Sequence, residues 1–272
     1  MHHAGEGSMA GEGLRLRLMG GFAAWVDGVQ VDPAAWRRRK VGRLVKLLAL
    51  QPEHRLHREQ VELLLWPTLG RQAAAQNLHH TLYRARHALE PDLGHRAEPR
   101  FLRLRNDLLE LAAGDALASD LEAFEASAAR ALASGDPSAH ADAVALFEGE
   151  PLAEDRFEDW AIERRETGIA TYVELLLELA ELERRRGRLG PAIEALKRVV
   201  AVEPLNEGAH ARLIQLDGLA GRRHLAVAHY RRFRNRLHTE LGAEPLPTTT
   251  EIYRSVIAGR ISPRVIGEPV GM

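Results

Sequence analysis

The chain begins with a period-two alternation of apolar and polar residues. Leu14–Met19 places a leucine at every second position, which predicts a strand with one buried face. Phe22–Val26 and Val29–Val31 continue the pattern, and Asp27-Gly28 between them is typical of a tight hairpin turn. We therefore expect a small antiparallel sheet at the start of the fold.

Three helical patterns follow, and each is bounded by a proline. Their predicted bounds are Arg37–Leu50 before Pro52, Arg58–Leu65 before Pro67, and about Ala73–Leu89 before Pro91. Phe101–Leu104 and Leu108–Leu111 then predict two short strands around a turn at residues 105–107. Three helices followed by a hairpin form the plan of a winged helix-turn-helix.

Residues 120–259 show only helical periodicity, with a repeat of 34 positions. Gly187-Arg188 is matched by Gly221-Arg222, and the apolar positions around each pair also coincide. A period of this length is typical of tetratricopeptide repeats. Flanking helices are expected to cap so short a stack, and the candidates are Asp120–Ser134, Ser138–Glu148 and Thr249–Ile257. The predicted fold class is mainly α: a winged helix with both α and β elements, then an all-α, tetratricopeptide-like repeat domain.

Composition narrows the choice of function. The chain has 272 residues, 45% of them hydrophobic, and no cysteine, which excludes disulfides and thiolate metal sites and favours a reducing cytoplasm. Residues 1–112 contain 17 Lys+Arg and 12 Asp+Glu, whereas residues 113–272 contain 20 and 26. A basic front half and an acidic back half fit a nucleic-acid reader joined to a protein-binding module, although surface charge also varies between ordinary domains.

The third helix is the best candidate for reading DNA, because the major groove accepts one α-helix. Its predicted buried stripe leaves five polar residues broadly opposite: Gln76, His80, Tyr83, Arg84 and His87. Arg84 can pair with a guanine edge or a phosphate, and Gln76 can pair with adenine. The two histidines are equally consistent with exposed side chains that take no part.

Two further groups of cations are candidate phosphate contacts. The first lies at the predicted start of the first helix: Arg37, Arg38, Arg39, Lys40 and Arg43. Cations are unfavourable at a helix N-terminus, so a run of them favours phosphate binding over a merely solvated face. The second group is Arg103 and Arg105 on the hairpin, which are expected to reach the minor groove or nearby phosphates.

These elements together resemble a known family, the Streptomyces antibiotic regulatory protein (SARP) type of regulator. The resemblance lies in short motifs whose order extends over residues 14–258: Leu63–Pro67, Asn77-Leu78, Leu82–Arg86, Asp120–Phe124, Gly149–Leu152 with Trp160, Glu203–Glu207, Ala220–Arg222, Glu240–Gly242 and Pro245–Thr250. The sequence departs from the family pattern at Tyr83, Ala85 and residues 106–108.

The resemblance implies an OmpR-type winged helix at residues 14–112 and a bacterial transcriptional activator domain at residues 113–260. It also implies a DNA-bound homodimer on direct repeats. The loop Thr68–Gln72 resembles the segment that faces RNA polymerase in OmpR-type folds, although a plain connector is the alternative. Outside the resemblance, residues 1–13, rich in glycine, glutamate and histidine, are expected to be a disordered leader and residues 261–272 a flexible tail. Asn77 and Arg86, from the motifs of the third helix, complete the predicted DNA-binding set.

The sequence favours a transcription activator in the cytoplasm at the nucleoid, with double-stranded DNA and RNA polymerase as partners. No glycine-rich phosphate loop, no metal-ligand spacing and no run of transmembrane length occurs, so we expect no enzyme, cofactor, metal site or membrane contact. Two alternatives remain open. One is a protein-interaction scaffold whose winged helix contacts proteins, and the other is a sensor that holds a small effector.

Overall fold

The computed structural model describes residues 12–112 and 116–263. Most of the leader and tail predicted at residues 1–13 and 261–272 therefore lies outside the described residues. The chain divides into two compact units. The N-terminal unit comprises Met1–Ala126 and Leu146–Gly168, and the C-terminal unit comprises Ser127–Ala145 and Ile169–Met272. The border predicted between residues 112 and 113 stays a proposal, since compactness groups the chain differently.

The N-terminal unit contains two small sheets and three helices. Its strands are β1 (Leu14–Arg17), β2 (Ala23–Val26), β3 (Val29–Gln30), β4 (Arg55–His57), β5 (Leu102–Arg105), β6 (Leu108–Leu111) and β7 (Leu117–Ser119). Its helices are α1 (Arg39–Ala49), α2 (Arg58–Leu65) and α3 (Arg71–Leu89). The sheets have the orders β3-β2-β1-β7 and β4-β6-β5. The predicted winged helix-turn-helix is confirmed.

Both predicted hairpins turn through left-handed backbone. Asp27 and Gly28 have φ of 47° and 82° between β2 and β3, and Asn106 and Asp107 have φ of 49° and 63° between β5 and β6. Two consecutive residues with positive φ give the turn whose twist matches antiparallel strands, and asparagine, aspartate and glycine tolerate it best. The chemistry of these four residues therefore sets both hairpins.

The sequence pattern missed two strands. β4 pairs antiparallel with β6 and adds a third strand to the wing sheet. β7 pairs in parallel with β1, so the N-terminal sheet includes residues beyond the predicted domain border. Each is three residues long, too short for a periodicity to show. Both strands exist because a distant strand offers them backbone hydrogen bonds.

The end of β1 is held by residues far along the chain. The Asp120 carboxylate accepts hydrogen bonds from the backbone N–H groups of Leu18 (2.6 Å) and Met19 (3.0 Å). Gly149, with φ of 151°, lies so close that a Cβ there would be 2.8 Å from Cα of Gly20. Asp120 and Gly149 belong to motifs of the predicted activator domain, so those motifs help to fold the N-terminal unit.

All the regular secondary structure in the described residues of the C-terminal unit is helical. Its elements are α4 (Asp120–Ser134) and α6 (Asp159–Arg185), both of which begin in the N-terminal unit, together with α5 (Pro137–Ala145), α7 (Leu189–Val202), α8 (Glu207–Leu219), α9 (Arg223–Leu241) and α10 (Pro247–Ile257). The helix predicted at Ser138–Glu148 thus ends three residues earlier than expected. The predicted all-α repeat domain is confirmed.

The 34-residue repeat is visible in the geometry of two equivalent turns. Gly187 and Gly221 have φ of 74° and 73°. In the first turn Arg188 forms an ion pair with the buried Glu183, at 2.6 Å. In the second turn Arg222 forms the equivalent pair with Asp217, at 3.1 Å. The same combination of a left-handed glycine and an ion pair therefore occurs at the equivalent turn of both repeat units.

Two histidines pair inside the C-terminal unit. His210 Nε2 lies 3.0 Å from the carbonyl oxygen of Pro204, and His210 Nδ1 lies 2.7 Å from His229 Nε2. Because the Pro204 oxygen can only accept, His210 Nε2 carries a proton and Nδ1 accepts the N–H of His229. Burial lowers the pKa of both residues, that of His229 to about 4 with help from the neighbouring His210. The pair is therefore held neutral.

This pair predicts acid sensitivity between about pH 6.5 and 4. Above the ordinary pKa of 6.5 His229 is neutral in both the folded and unfolded states, but below it only the unfolded state gains the proton. Stability is therefore lost as the pH falls, by about 2 kcal/mol between pH 7 and 5 for this group. Urea unfolding of the full chain at both values measures the loss.

The control variant is His229→Gln, whose amide retains an N–H for His210 but does not titrate. We expect its loss of stability from pH 7 to 5 to be clearly smaller than that of the wild-type chain, with a remainder from His210. Equal losses in the two proteins would contradict the assignment.

Candidate nucleic-acid interface

Helix α3 has one buried face and one exposed polar face. Its buried residues are Ala74, Leu78, Thr81, Leu82, Ala85, Ala88 and Leu89. Of the five residues predicted opposite them, Gln76, His80, Tyr83 and Arg84 are exposed and His87 is half-buried. The 19 residues make a rod about 28 Å long at 1.5 Å per residue, which suits a single groove of DNA.

The polar face of α3 is partly ordered by its own side chains. The ring of His87 packs on that of Tyr83, with centroids 4.2 Å apart, and its Nδ1 lies 2.9 Å from the Tyr83 carbonyl oxygen. Asn77 donates an amide hydrogen bond to the carbonyl of Ala73, at 3.0 Å. The other predicted reader, Arg84, projects from the same face and is exposed.

An open cleft brings Arg84 together with part of the predicted cationic run. The cleft encloses about 480 Å³ and its lining includes Arg37, Arg38, Tyr83, Arg84 and His87. Arg37 closes a short 3-10 turn, and Arg38 has extended backbone just before α1. The first helix thus begins two residues later than predicted, which lets these two arginines turn toward α3.

The remaining cations of the run lie elsewhere. Arg39 lines a different cleft, beside Phe22 and Trp36. The ammonium of Lys40 donates a hydrogen bond of 2.5 Å to the carbonyl oxygen of Leu65, and burial lowers the pKa of that ammonium. Arg39 is exposed and stays a candidate phosphate contact, whereas the ammonium of Lys40 is already bound to a backbone carbonyl.

Arg43 corrects the sequence interpretation most clearly. It is 9% exposed, its Nε donates to Asp155 at 2.7 Å, and its NH1 group is 2.6 Å from Glu158. Lys46, 4% exposed, binds the other oxygen of Asp155. Both cations lie on the inward face of α1. Arg43 is therefore neutralised in the interior, whereas the sequence predicted a phosphate contact for it.

Arg86 also has a structural contact. Its Nε donates to the carbonyl oxygen of Leu102 at 2.9 Å, which joins α3 to β5. Burial lowers the pKa of the guanidinium, although Glu90 opposes this. Arg86 was predicted to touch DNA, and the geometry instead places it between the third helix and the wing.

The wing carries its two predicted arginines in different environments. Arg103 is half-buried and donates to the carbonyl of Pro99 at 3.0 Å. Arg105 is exposed and forms an ion pair with Glu98, which lowers the pKa of that carboxyl. The turn itself is tied to α2, since the Arg58 N–H donates to the carbonyl of Asp107 at 2.8 Å. Arg58 was not predicted from the sequence, because only the folded wing brings it to residue 107.

The comparisons with known proteins decide the family. Residues 119–257, slightly more than half of the chain, match the family model described as the bacterial transcriptional activator domain. The chain belongs to this family. The resemblance to SARP-type regulators implied this domain, and the match confirms the resemblance.

One solved structure has a fold similar to that of this chain. It is Mycobacterium tuberculosis EmbR in complex with a low-affinity phosphopeptide, with a TM-score of 0.69 and 21% sequence identity. The match covers 93% of this chain and 66% of the EmbR chain, so the present chain spans about two thirds of that structure's length. No curated protein sequence matches the chain significantly.

The family match places the acidic partners of α1 within the activator domain. Asp155 and Glu158 lie inside residues 119–257, yet they pack in the N-terminal unit against Arg43 and Lys46. The buried cations of α1 are therefore neutralised by a segment of the activator domain.

The described residues offer neither a metal site nor a membrane-spanning helix. Within residues 12–112 and 116–263, no group of three or more histidines and carboxylates could hold a metal ion. In the same part of the chain, no helix combines the length and apolar character that crossing a membrane requires.

Proposed function

We propose that this transcription regulator binds double-stranded DNA sequence-specifically through helix α3 and acts as an activator. The observation that carries the proposal is the exposed polar face of α3, with Arg84 beside Arg37 and Arg38 in one open cleft. Arg84 is the base reader or central phosphate contact in this arrangement. Arg37 and Arg38 supply affinity through phosphates, which carries no sequence information.

Other exposed residues predicted from the sequence supply supporting contacts to DNA. Gln76 and His80 lie N-terminal to Arg84 on the exposed face, where they can extend the reading along the groove. Tyr83 supplies a ring or hydroxyl contact, and Arg105 supplies the wing contact. Arg43 is not part of the proposed interface, because Asp155 and Glu158 neutralise its charge.

Activation is proposed to require RNA polymerase, and the surface between α2 and α3 supports this. A cleft of about 320 Å³ there is lined by Leu63, Trp66, Pro67 and Leu69 among others. Leu63 is 66% exposed and Leu69 42% exposed. Exposed apolar side chains beside a cleft suit a protein partner better than a phosphate backbone. Binding as a homodimer to direct repeats, in the cytoplasm at the nucleoid, follows from the family resemblance.

The test is a binding titration with fluorescent duplexes at several salt concentrations. One duplex comes from the chain's own upstream region and the other is random DNA of equal length. We expect tighter binding to the first, and a linear fall of log affinity with log salt for both, because phosphate contacts release counterions. Equal affinity for the two duplexes would overturn specific recognition. An affinity that does not change with salt would favour a winged helix that contacts proteins.

A further inference from the structure

Two adjacent clefts in the C-terminal unit form one continuous groove, which we call the repeat groove. They enclose about 540 and 390 Å³ and share Glu181 and Arg212 in their linings. Helices α6 and α8 supply most of the walls. From Ala170 to Arg185 the groove follows α6 for about 22 Å at 1.5 Å per residue. That length corresponds to about six or seven residues of extended chain.

The floor of the groove is apolar. Val173, Leu177 and Ala180 recur at helical spacing along one side of α6. Val173 is 6% exposed and Ala180 is 3% exposed, while Leu177 is half-buried. An apolar strip at the base of a polar groove suits a ligand with apolar side chains between charged ends.

The two ends of the groove have opposite charge. Arg184 and Arg185 line one end. Glu174, Glu178 and Glu203 line the other, and Glu181 and Arg212, which both clefts share, lie between the two ends. A uniform polyanion such as nucleic acid matches only the basic end and is repelled at the acidic end. The charge pattern therefore favours a ligand that is itself polarised.

The basic end keeps unused hydrogen-bonding capacity. Arg184 donates two bonds to Glu181, both of 2.7 Å, and Arg185 donates one of 2.8 Å. These bonds hold the pKa of Glu181 at about 2, so it stays charged. Each guanidinium has five N–H donors, so most of those on Arg184 and Arg185 remain available. Arg212, which is exposed, forms no ion pair within the part of the chain that the structure describes.

We propose that the repeat groove binds a peptide segment of a partner protein in one fixed orientation. Acidic residues of the peptide bind Arg185 and Arg212, apolar side chains cover Val173 and Leu177, and basic residues face Glu174. Opposite charges at the two ends set the direction of the peptide, because reversing it would bring like charges together. This binding is separate from DNA recognition and needs no nucleic acid.

The test is fluorescence anisotropy of the full chain with two labelled ten-residue peptides. The first has three lysines at one end, leucines and alanines in the middle, and three glutamates at the other end. The second has the same composition with lysines and glutamates alternating. We expect the polarised peptide to bind about tenfold more tightly, as one well-placed charged contact allows. Equal affinities, or no binding of the polarised peptide, would overturn the proposal.

Variants of the chain locate the binding site. Arg212→Glu and Glu174→Lys are each expected to weaken the polarised peptide about tenfold, because each places like charge beside one end. Arg223→Glu, a charge reversal at an exposed arginine of α9 that does not line the groove, is the matched control and is expected to leave the affinity unchanged. A peptide with lysines at both ends should bind Arg212→Glu better than it binds the wild-type chain. If Arg212→Glu and Arg223→Glu behave alike, the groove is not the site.

Discussion

Replacing Arg84 by alanine is expected to weaken specific DNA binding by about 1–3 kcal/mol, or roughly fivefold to 150-fold. The side chain is exposed on α3, opposite the buried stripe, and shares its cleft with Arg37 and Arg38. Because Arg84 forms no hydrogen bond within the described residues comparable to that of Arg86, the substitution should leave folding intact. Anisotropy with the upstream duplex measures affinity, and urea unfolding checks stability.

Arg84→Lys separates the two roles that remain possible for this residue. A guanine edge requires the paired N–H groups of a guanidinium, so lysine should lose most of the preference for the upstream duplex over random DNA. A phosphate requires mainly a positive charge, so lysine should then retain the affinity. Arg130→Ala, which removes an exposed arginine from α4, is the control for loss of charge alone. Unchanged affinity in Arg84→Ala would remove the residue from the interface.

Much of the fold was predictable because its signals are local. The bounds of α2, Arg58–Leu65, agree with the prediction, since a proline follows and the apolar spacing is regular. The hairpin turns depend on two residues each, and the repeat depends on a fixed period with glycine at each turn. These features need no knowledge of distant parts of the chain.

The missed features depend on partners that are remote in sequence. Strands β4 and β7 are only three residues long and are defined by pairing with β6 and β1. The carboxylate that binds Arg43 is 112 positions away. No pattern within α1 distinguishes an arginine that faces phosphate from one that meets a buried aspartate.

The candidate site shows the same contrast between local signals, which were predictable, and remote contacts, which were not. Helical spacing alone separated the exposed residues of α3 from its buried stripe, since the angle between successive residues is fixed. Arg86 entered the predicted DNA-binding set through the family motif and not through this spacing. Only the folded wing places the Leu102 carbonyl beside Arg86. Side-chain direction was predictable, whereas the choice of partner was not.

Replacing Asp155 by alanine is expected to destabilise the N-terminal unit by about 3–5 kcal/mol, the largest effect we predict. Asp155 is 3% exposed and accepts from both Arg43 and Lys46. Its removal leaves the ammonium of Lys46, itself 4% exposed, without a buried counter-charge. A charge that is buried and uncompensated costs far more than the pair contributes when intact. Urea unfolding at neutral pH measures the change.

Glu154→Ala is the matched control, because Glu154 approaches the same ammonium at 3.5 Å but is 58% exposed. Water screens that contact, so we expect a loss below about 1 kcal/mol. The combination of Asp155→Leu with Lys46→Met should recover part of the lost stability, since apolar residues of similar size leave fewer charges buried. If Asp155→Ala costs no more than Glu154→Ala, the activator-domain segment does not stabilise α1 through this network. Arg43 would then return to the list of candidate phosphate contacts.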